Sequence, residues 1–306
     1  MKRQKNLREF TLFYRIKRYK SGYIMLAPWL LLFLVFTVIP VLGNIVLSFT
    51  YFNGIQFPVF IGFDNFSKLF MNDDLFYTAL KNSFVFALFT GPVSFLACLI
   101  FAWLLNDFHR IVRSIVTVVF YMPVLAGNLF LIWMLIFSGD RYGYLNAMLI
   151  NYGFINEPVQ WLTDPRYMMG VVVVVQLWMS LGIGFLAFIA GLQGIDRSLY
   201  EAGAVDGVKN RFQELWFITL PMLRPVLILG AVLQITASLG SSQVAVALTG
   251  TSGGTDYATY TLQSFMSDYG STRLEIGYVA AIATMLSFIM ITLNKVIQRA
   301  LKKLGT

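Results

Sequence analysis

Six long stretches of this chain contain no Asp, Glu, Lys or Arg, and they limit the possible fold more than any other feature. They are residues 23–47, 82–106, 114–138, 167–195, 225–248 and 276–294. Each has about the 20 apolar residues that a helix needs to cross a bilayer. A membrane barrel is excluded because the runs are continuously apolar, and an open strand would leave its backbone unpaired in lipid. We therefore predict an all-α integral membrane protein with six transmembrane helices.

The positions of the basic residues predict how this bundle is oriented. Of the 23 Lys and Arg residues, eighteen lie in the N-terminal segment, the second and fourth loops and the tail, and five lie in the other loops. By the positive-inside rule, both termini are cytoplasmic. We expect one transmembrane domain over 1–306, with a basic cytoplasmic N-terminus (1–22). The rest is a six-helix membrane domain (23–299) with a cytoplasmic loop at 196–221.

The composition conflicts with several functional classes. Only 12% of the residues are charged, and no Asp, Glu, Lys, Arg or His lies in the six runs, which argues against carriers driven by protons or sodium. It also argues against membrane enzymes that use a buried His or carboxylate. Cys98 and His109 are the only residues of their types, too few for a Cys/His zinc site. The net charge of +8 lies beside the spans, so we expect a lipid bilayer and no nucleic acid as partner.

Two further patterns concern local structure. The stretch GIGFLA (182–187) has the letters of a dinucleotide-binding loop but lies inside an apolar run, so it predicts close helix packing. The three outer loops, 48–81, 139–166 and 249–275, are predicted to contain short interfacial helices. No phosphate-binding G-x-x-x-x-G-K-[ST] loop occurs, so any nucleotide-driven energy source is expected outside this chain.

A compact polar segment, SLYEAGAVDGVKNRFQELWFITLP (198–221), interrupts the apolar runs. Ser198 and Glu201 match the capping box S-x-x-E, which predicts a helix that starts at Leu199. This helix is expected to stop at Gly207, since glycine readily adopts a left-handed cap. The residues alone fit equally well a solvated helix whose charges only keep it out of lipid.

A second helix follows within the same segment. One apolar face is predicted from residues at helical spacing: Phe212, Leu215, Trp216 and Thr219. Pro221 is expected to break or restart this helix, and Pro225 is expected to open the fifth span.

The polar segment resembles the cytoplasmic signature of binding-protein-dependent ABC importer permeases. That pattern reads roughly E-A-A-x-x-D-G, then about nine residues, then an apolar residue and L-P. The matching residues are Glu201, Ala202, Asp206, Gly207, Ile218, Leu220 and Pro221. Gly203 departs from the pattern, which usually has Ala. FIGFDNFSKLF (60–70) and VQWLTDP (159–165) are also similar to segments of carbohydrate-uptake permeases of the maltose and glycerol-phosphate type.

The resemblance implies a type I ABC importer permease fold in a bacterial cytoplasmic (inner) membrane. It implies a chain without catalytic activity or bound cofactors, paired with a second homologous permease and two cytoplasmic ATPase subunits that use ATP and Mg. An extracytoplasmic solute-binding protein would deliver a carbohydrate such as an oligosaccharide. The resemblance assigns ATPase coupling to Glu201, Ala202, Gly203, Asp206, Gly207, Leu220 and Pro221.

Polar residues inside the spans are candidates for the substrate path. Gln234, Ser238 and Ser241 form one stripe at i, i+4 and i+7 of the fifth span. Asn128 in the third span, and Gln176 and Trp178 in the fourth, could also meet a neutral sugar. The alternative is that these groups form hydrogen bonds between helices. Two other functional classes remain open: a secondary transporter or channel, and a membrane scaffold or enzyme without transport.

Overall fold

The computed structural model describes residues 19–127, 129–240, 242–250 and 253–302, with no account of the Ile183 side chain. Most of this chain is helical. The helices are α1 (Lys20–Leu47), α2 (Asp64–Met71), α3 (Asp74–Asn106), α4 (Arg110–Leu125), α5 (Phe130–Ile136), α6 (Tyr144–Asn151), α7 (Pro165–Ser180), α8 (Ile183–Gln193), α9 (Arg197–Val205), α10 (Arg211–Glu214), α11 (Leu220–Gly240), α12 (Gln243–Thr249), α13 (Leu262–Ser267) and α14 (Ile276–Lys302). Two short strands, β1 (Thr50–Tyr51) and β2 (Val59–Phe60), pair antiparallel with Thr50 opposite Phe60.

The helices confirm an all-α membrane protein. Five are long and apolar enough to cross a bilayer when helices that follow one another are joined: Lys20–Leu47, Asp74–Asn106, Pro165–Gln193, Arg211–Thr249 and Ile276–Lys302. The third predicted span, 114–138, is wrong as one straight helix, because α4 and α5 meet at 89°. Gly127 lies between them with a φ of +57°, a conformation that glycine adopts without strain. The chain has six candidate membrane spans if α4 and α5 together form one span.

The connecting segments meet in two groups, one at each end of the bundle. At the first, Lys68 Nζ lies 2.5 Å from Glu275 Oε2, and this end, formed by residues 48–73 and 253–275, is called the Glu275 end. At the second, Arg211 pairs with Asp107, which joins the α3–α4 turn to the start of α10. This end of the bundle, which includes the α3–α4 turn and the start of α10, is called the Asp107 end. Short helices α2, α6 and α13 occur in the three loops for which short helices were predicted.

One buried carboxylate organises the Glu275 end. Asp73 precedes α3, and its Oδ1 accepts a hydrogen bond from the Phe76 backbone at 3.2 Å. Its Oδ2 accepts from the hydroxyl groups of Tyr269 and Tyr278, each at 2.9 Å. Burial, together with the bond to Asp73, raises the pKa of Tyr269 to about 12. These bonds tie the start of α3 to the segment that leads into α14.

Two helices contain a π-helical segment just before a proline. Leu34–Val38 lies inside α1 ahead of Pro40, and Leu215–Thr219 joins α10 to α11 ahead of Pro221. In an α-helix, a proline ring clashes with the carbonyl group four residues earlier. A wider turn before the proline relieves this conflict, as π-bulges do elsewhere.

The π-helical segment explains why one prediction fails. Pro221 does not break the helix, and Pro225 does not open the fifth span, because residues 211–240 form one uninterrupted helical run. The added residue in the turn also changes which side chains share a face. Phe212 and Trp216 are exposed, at 73% and 62%, whereas Thr219 is buried at 2%, so the predicted single apolar face is wrong.

Helix α3 runs through the centre of the bundle and packs against α7, α8, α11 and α13. The glycines of GIGFLA and its continuation allow close approach, as predicted. A Cβ at Gly184 would lie 3.0 Å from Gln234 Nε2, and one at Gly191 would lie 2.8 Å from a Leu223 methyl group. Helix α8 therefore packs closely against α11, and this contact positions the residues described below.

Helix α1 joins the bundle only through its second half. Asn44 Nδ2 donates to Thr284 Oγ1 at 3.2 Å, which fixes this half to α14. The first half, Lys20–Phe33, has no buried residue. This apolar surface is therefore open to lipid or to another protein.

Candidate functional sites: an exposed helix and a polar cavity

The exposed helix is α9, which lies at the Asp107 end between α8 and α10. Its N-cap is Asp196, whose Oδ1 accepts a hydrogen bond from the Ser198 backbone at 3.0 Å. Hydrogen bonds from the Ser198 backbone and hydroxyl group lower the pKa of Asp196. The predicted capping box of Ser198 and Glu201 is therefore wrong, and the helix begins at Arg197, two residues earlier than expected. Asp also forms strong N-caps, and it lies just upstream of the S-x-x-E pattern.

The end of α9 confirms the predicted glycine cap. Gly207 has a φ of +92°, and its backbone N–H donates to the Ala204 carbonyl at 3.3 Å. The next residue, Val208, donates to the Gly203 carbonyl at 2.9 Å. This pair of bonds is a Schellman motif. It reverses the chain sharply and leads it towards α10.

The outward face of α9 consists of small and acidic side chains. Glu201, Ala202 and Asp206 are all exposed. Among the described residues, neither carboxylate takes part in an ion pair. The helix therefore presents a narrow surface with two unneutralised acids, as a surface that docks on another protein would.

Gly203 lies on the side of α9 that packs against the π-helical segment Leu215–Thr219. A Cβ at this position would lie 2.6 Å from the Cδ1 of Ile218, in the π-helical segment. The departure from the family pattern therefore has a packing role within this chain, since glycine lets α9 lie close to that segment. The predicted role of Gly203 in ATPase coupling stays a prediction.

Several contacts fix α9 to the long helix that follows. The Tyr200 hydroxyl group lies 3.0 Å from Thr219 Oγ1, which is buried. Asn210 caps α10 by accepting from the Gln213 backbone at 2.9 Å. Leu220 and Pro221 are half-buried at the start of α11, outside α9 itself. A displacement of α9 would therefore be transmitted to residues 211–240.

A cavity of about 320 Å³ lies between α4, α7, α8, α11 and α12. It is called the polar cavity after its three Gln side chains and one Ser, and the rest of its described lining is apolar. It is lined by two of the predicted path residues, Gln176 and Gln234, together with Ser180 and Gln243. Gln234 Nε2 donates to the Ser180 carbonyl at 3.4 Å, so this side chain also joins two helices. The described lining residues include no ionisable side chain, which suits a neutral ligand with hydroxyl groups and offers no acid or base for catalysis.

Gln176 is the residue in this cavity with the strongest sign of a ligand. It is 7% exposed, and its Oε1 has no hydrogen-bond partner among the residues that the structure describes. A buried acceptor without a partner costs free energy, about 1–3 kcal/mol, and usually indicates a missing water or ligand.

Two of the other predicted path residues, Trp178 and Ser238, lie away from this cavity. Trp178 packs against Trp133, with ring centroids 5.5 Å apart, and does not line the cavity. Ser238 donates to the Ile235 carbonyl of its own helix at 3.2 Å and lines an apolar groove instead. Asn128 and Ser241 lie outside the described residues.

Two lining residues, Ser180 and Gln243, were not predicted from the sequence. Ser180 follows Gln176 by four residues, so helical spacing could have found it. Gln243 is the first residue of α12, and only the tertiary fold brings it to this place.

Comparison with known proteins agrees with this architecture. The family model for the binding-protein-dependent transport system inner membrane component matches residues 99–304. The chain is 30% identical to the probable ABC transporter permease protein YesP of Bacillus subtilis (strain 168), over 95% of this chain and 90% of that protein. It is 32% identical to the lactose transport system permease protein LacF of Rhizobium radiobacter, over 75% of this chain and 76% of that protein.

A solved structure shares the fold. It is the crystal structure of a bacterial ABC transporter involved in the import of the acidic polysaccharide alginate. The TM-score is 0.75 with 23% sequence identity, over 96% of this chain and 99% of that chain. This similarity confirms the predicted importer permease fold. The matched region and the sequence relatives together show that this chain belongs to the binding-protein-dependent transport system inner membrane component family.

Proposed function

We propose that this protein is the permease subunit of an ATP-driven importer that moves a carbohydrate into the cytoplasm. The observation that carries the proposal is α9, an exposed helix with unpaired acids that is firmly attached to the long helix 211–240. The names of relatives favour a carbohydrate: besides the lactose permease, a relative 29% identical over 92% of this chain is the arabinooligosaccharides permease AraP of Bacillus subtilis (strain 168).

In this proposal, α9 docks in a groove on a separate ATPase subunit. Ala202 permits close approach, and Glu201 meets a basic or polar group on that subunit. A surface ion pair contributes little, about 0–1 kcal/mol, so shape and rigid attachment dominate. Closure of two ATPase subunits around ATP and Mg would move α9, and with it Thr219 and the rest of residues 211–240. Hydrolysis belongs to those subunits, and this chain has no catalytic role.

The cavity lined by Gln176 and Gln234 is the proposed substrate path. Its volume of about 320 Å³ lies at the lower end of the 300–1,000 Å³ typical of small-molecule sites. Amide and hydroxyl groups can exchange hydrogen bonds with sugar hydroxyls, and Gln176 Oε1 is an acceptor free to do so. The bond between Gln234 and the Ser180 carbonyl is long at 3.4 Å, so a ligand could replace it at little cost.

A second permease and a binding protein complete the proposed assembly. The apolar surface of Lys20–Phe33 is long enough to pack against a partner within the membrane. The Glu275 end would face the extracytoplasmic binding protein. The Asp107 end, which holds α9 and is joined to the basic loops and tail, would lie in the cytoplasm.

Uptake by reconstituted vesicles tests the proposed function. The complex, purified with its partner subunits, is placed in liposomes with the binding protein, and accumulation of radiolabelled lactose or arabinooligosaccharide is measured. Accumulation should require ATP on the α9 side and should persist when ion gradients are collapsed. Uptake driven by a sodium or proton gradient without ATP would show a secondary transporter instead.

A pair of matched variants tests the role of α9. Glu201→Ala should weaken co-purification of the ATPase subunits and slow ATP-driven uptake. Glu157→Ala removes the same charge from an exposed position in the outer loop and should leave both unchanged. Equal behaviour of the two variants would remove Glu201 from the coupling surface.

A further inference from the structure

A second cavity, of about 750 Å³, lies at the Asp107 end, between the α3–α4 turn and helices α9 and α10. It is rich in guanidinium groups, which come from three separate parts of the chain. The arginines that line it are Arg110, Arg113, Arg197 and Arg211. Two carboxylates, Asp107 and Glu214, also line it, so its ionisable groups have a net positive charge.

Only some of these arginines are neutralised within the chain. Arg211 pairs with Asp107 and stacks 5.0 Å from the ring of Trp103. Arg113 Nη1 donates to the Asn106 carbonyl at 3.1 Å. Among the described residues, the guanidinium groups of Arg110 and Arg197 form no ion pair and no hydrogen bond. The cavity therefore holds two positive groups whose hydrogen bonds go to solvent or to an anion.

The cavity adjoins the ends of two candidate membrane spans. The membrane-spanning helix α3 ends at Asn106, and Arg110 is the first residue of α4, so the cavity opens where two spans leave the bilayer. Trp103 and Phe108 line the same wall, and aromatic side chains are typical of the membrane interface. Phospholipid phosphates lie at this level, and arginine binds phosphate through two parallel hydrogen bonds.

We propose that this cavity binds the phosphate of an anionic phospholipid, with Arg110 and Arg197 as its free guanidinium ligands. Arg110 belongs to α4, whereas Arg197 is the first residue of α9 and Tyr200 of α9 lines the same cavity. One headgroup would thus join the membrane end of α4 to the exposed helix. The lipid would restrict the movement of α9, and the anionic lipid content of the membrane would control how freely that helix moves.

Lipid titration of the full chain in nanodiscs tests this site. Discs contain phosphatidylcholine with increasing phosphatidylglycerol, and native mass spectrometry measures how much phosphatidylglycerol each chain retains. Arg110→Ala with Arg197→Ala should weaken retention at least tenfold, because both guanidinium contacts to the lipid phosphate are lost. Lys295→Ala with Arg299→Ala removes two exposed bases from α14 near the same end and should change retention less than twofold.

Three outcomes would overturn the proposal. Equal losses in the two double variants would show only general surface charge. Retention of phosphatidylglycerol no higher than that of phosphatidylcholine in the wild type would show that no anionic lipid is selected. Binding of inorganic phosphate in phosphatidylcholine discs, without preference for phosphatidylglycerol, would identify a soluble anion. If circular dichroism shows that the alanine pair is unfolded, Arg110→Lys with Arg197→Lys decides: retention should still fall, because lysine cannot form the bidentate contact.

Discussion

Replacement of Gly207 by valine tests whether the shape of the α9 hairpin couples this chain to an ATPase. Gly207 has a φ of +92°, and no atom lies within 4 Å of the place where a Cβ would be. The substitution therefore adds backbone strain without a steric clash. A left-handed conformation costs a residue with a side chain about 1–2 kcal/mol, so the correctly closed hairpin becomes roughly 5- to 30-fold less populated against alternatives. ATPase co-purification and ATP-driven uptake should fall several-fold.

Gly62→Val is the matched control. Gly62 has a φ of +62° and likewise has nothing within 4 Å, but it lies at the Glu275 end, away from α9. It introduces comparable strain into the same protein and should leave ATPase co-purification unchanged. Normal co-purification and uptake in Gly207→Val would refute the reasoning, and so would equal losses of co-purification in both variants.

Three further predictions follow from individual contacts. Gly203→Ala places a Cβ 2.6 Å from the flexible end of Ile218, and a gain of about 1 kcal/mol in helix propensity offsets the shift, so measured uptake should stay within twofold. Gln176→Leu removes a buried acceptor without a partner, so thermal unfolding should show about 1–3 kcal/mol more stability while the KM of uptake rises. Because the pKa of Tyr269 is raised from 10.0 to about 12, its stabilising bond to Asp73 is complete below pH 10 and lost as pH rises through about 12. Thermal unfolding against pH should show a larger loss in the wild type than in Tyr269→Phe, which keeps the Tyr278 bond to Asp73.

The membrane-spanning segments could be predicted because they depend on a property that is local in sequence. A run of about 20 apolar residues satisfies its backbone only as a helix, whatever it packs against. The 89° angle between α4 and α5 could not be found this way, since a bend within an apolar run leaves the hydropathy unchanged. Pro123 and Gly127 mark the place, but prolines also occur inside intact spans, as Pro92 does in α3.

The exposed helix was predicted at its end and mispredicted at its start. Only glycine adopts the Gly207 conformation without strain, so the sequence marks the cap clearly. Asp196 and Ser198 are both good N-caps, and the choice between them depends on the direction in which the chain leaves α8. The π-helical segment before Pro221 depends on a balance between the proline ring and the packing of Thr219, which sequence spacing does not report.

The polar cavity depends on tertiary structure throughout. Gln176 and Gln234 were chosen as polar residues in apolar helices, and the fold does bring them to one cavity. Ser238 occupies the same stripe as Gln234 but lies one turn further along, where α11 packs against Gly91 of α3. Which side of a buried helix faces a cavity depends on its neighbours, since all sides are apolar.

Cross-linking of α9 to an ATPase subunit tests the central claim most directly. Cys98 is the only cysteine, so Cys98→Ala gives a cysteine-free chain into which Ala202→Cys introduces one exposed thiol. A short thiol-to-amine cross-linker is added to the purified complex, and the product is identified by mass spectrometry. The account predicts a permease–ATPase product that forms through residue 202. An assembled complex that retains ATP-driven uptake but yields no such product would contradict it.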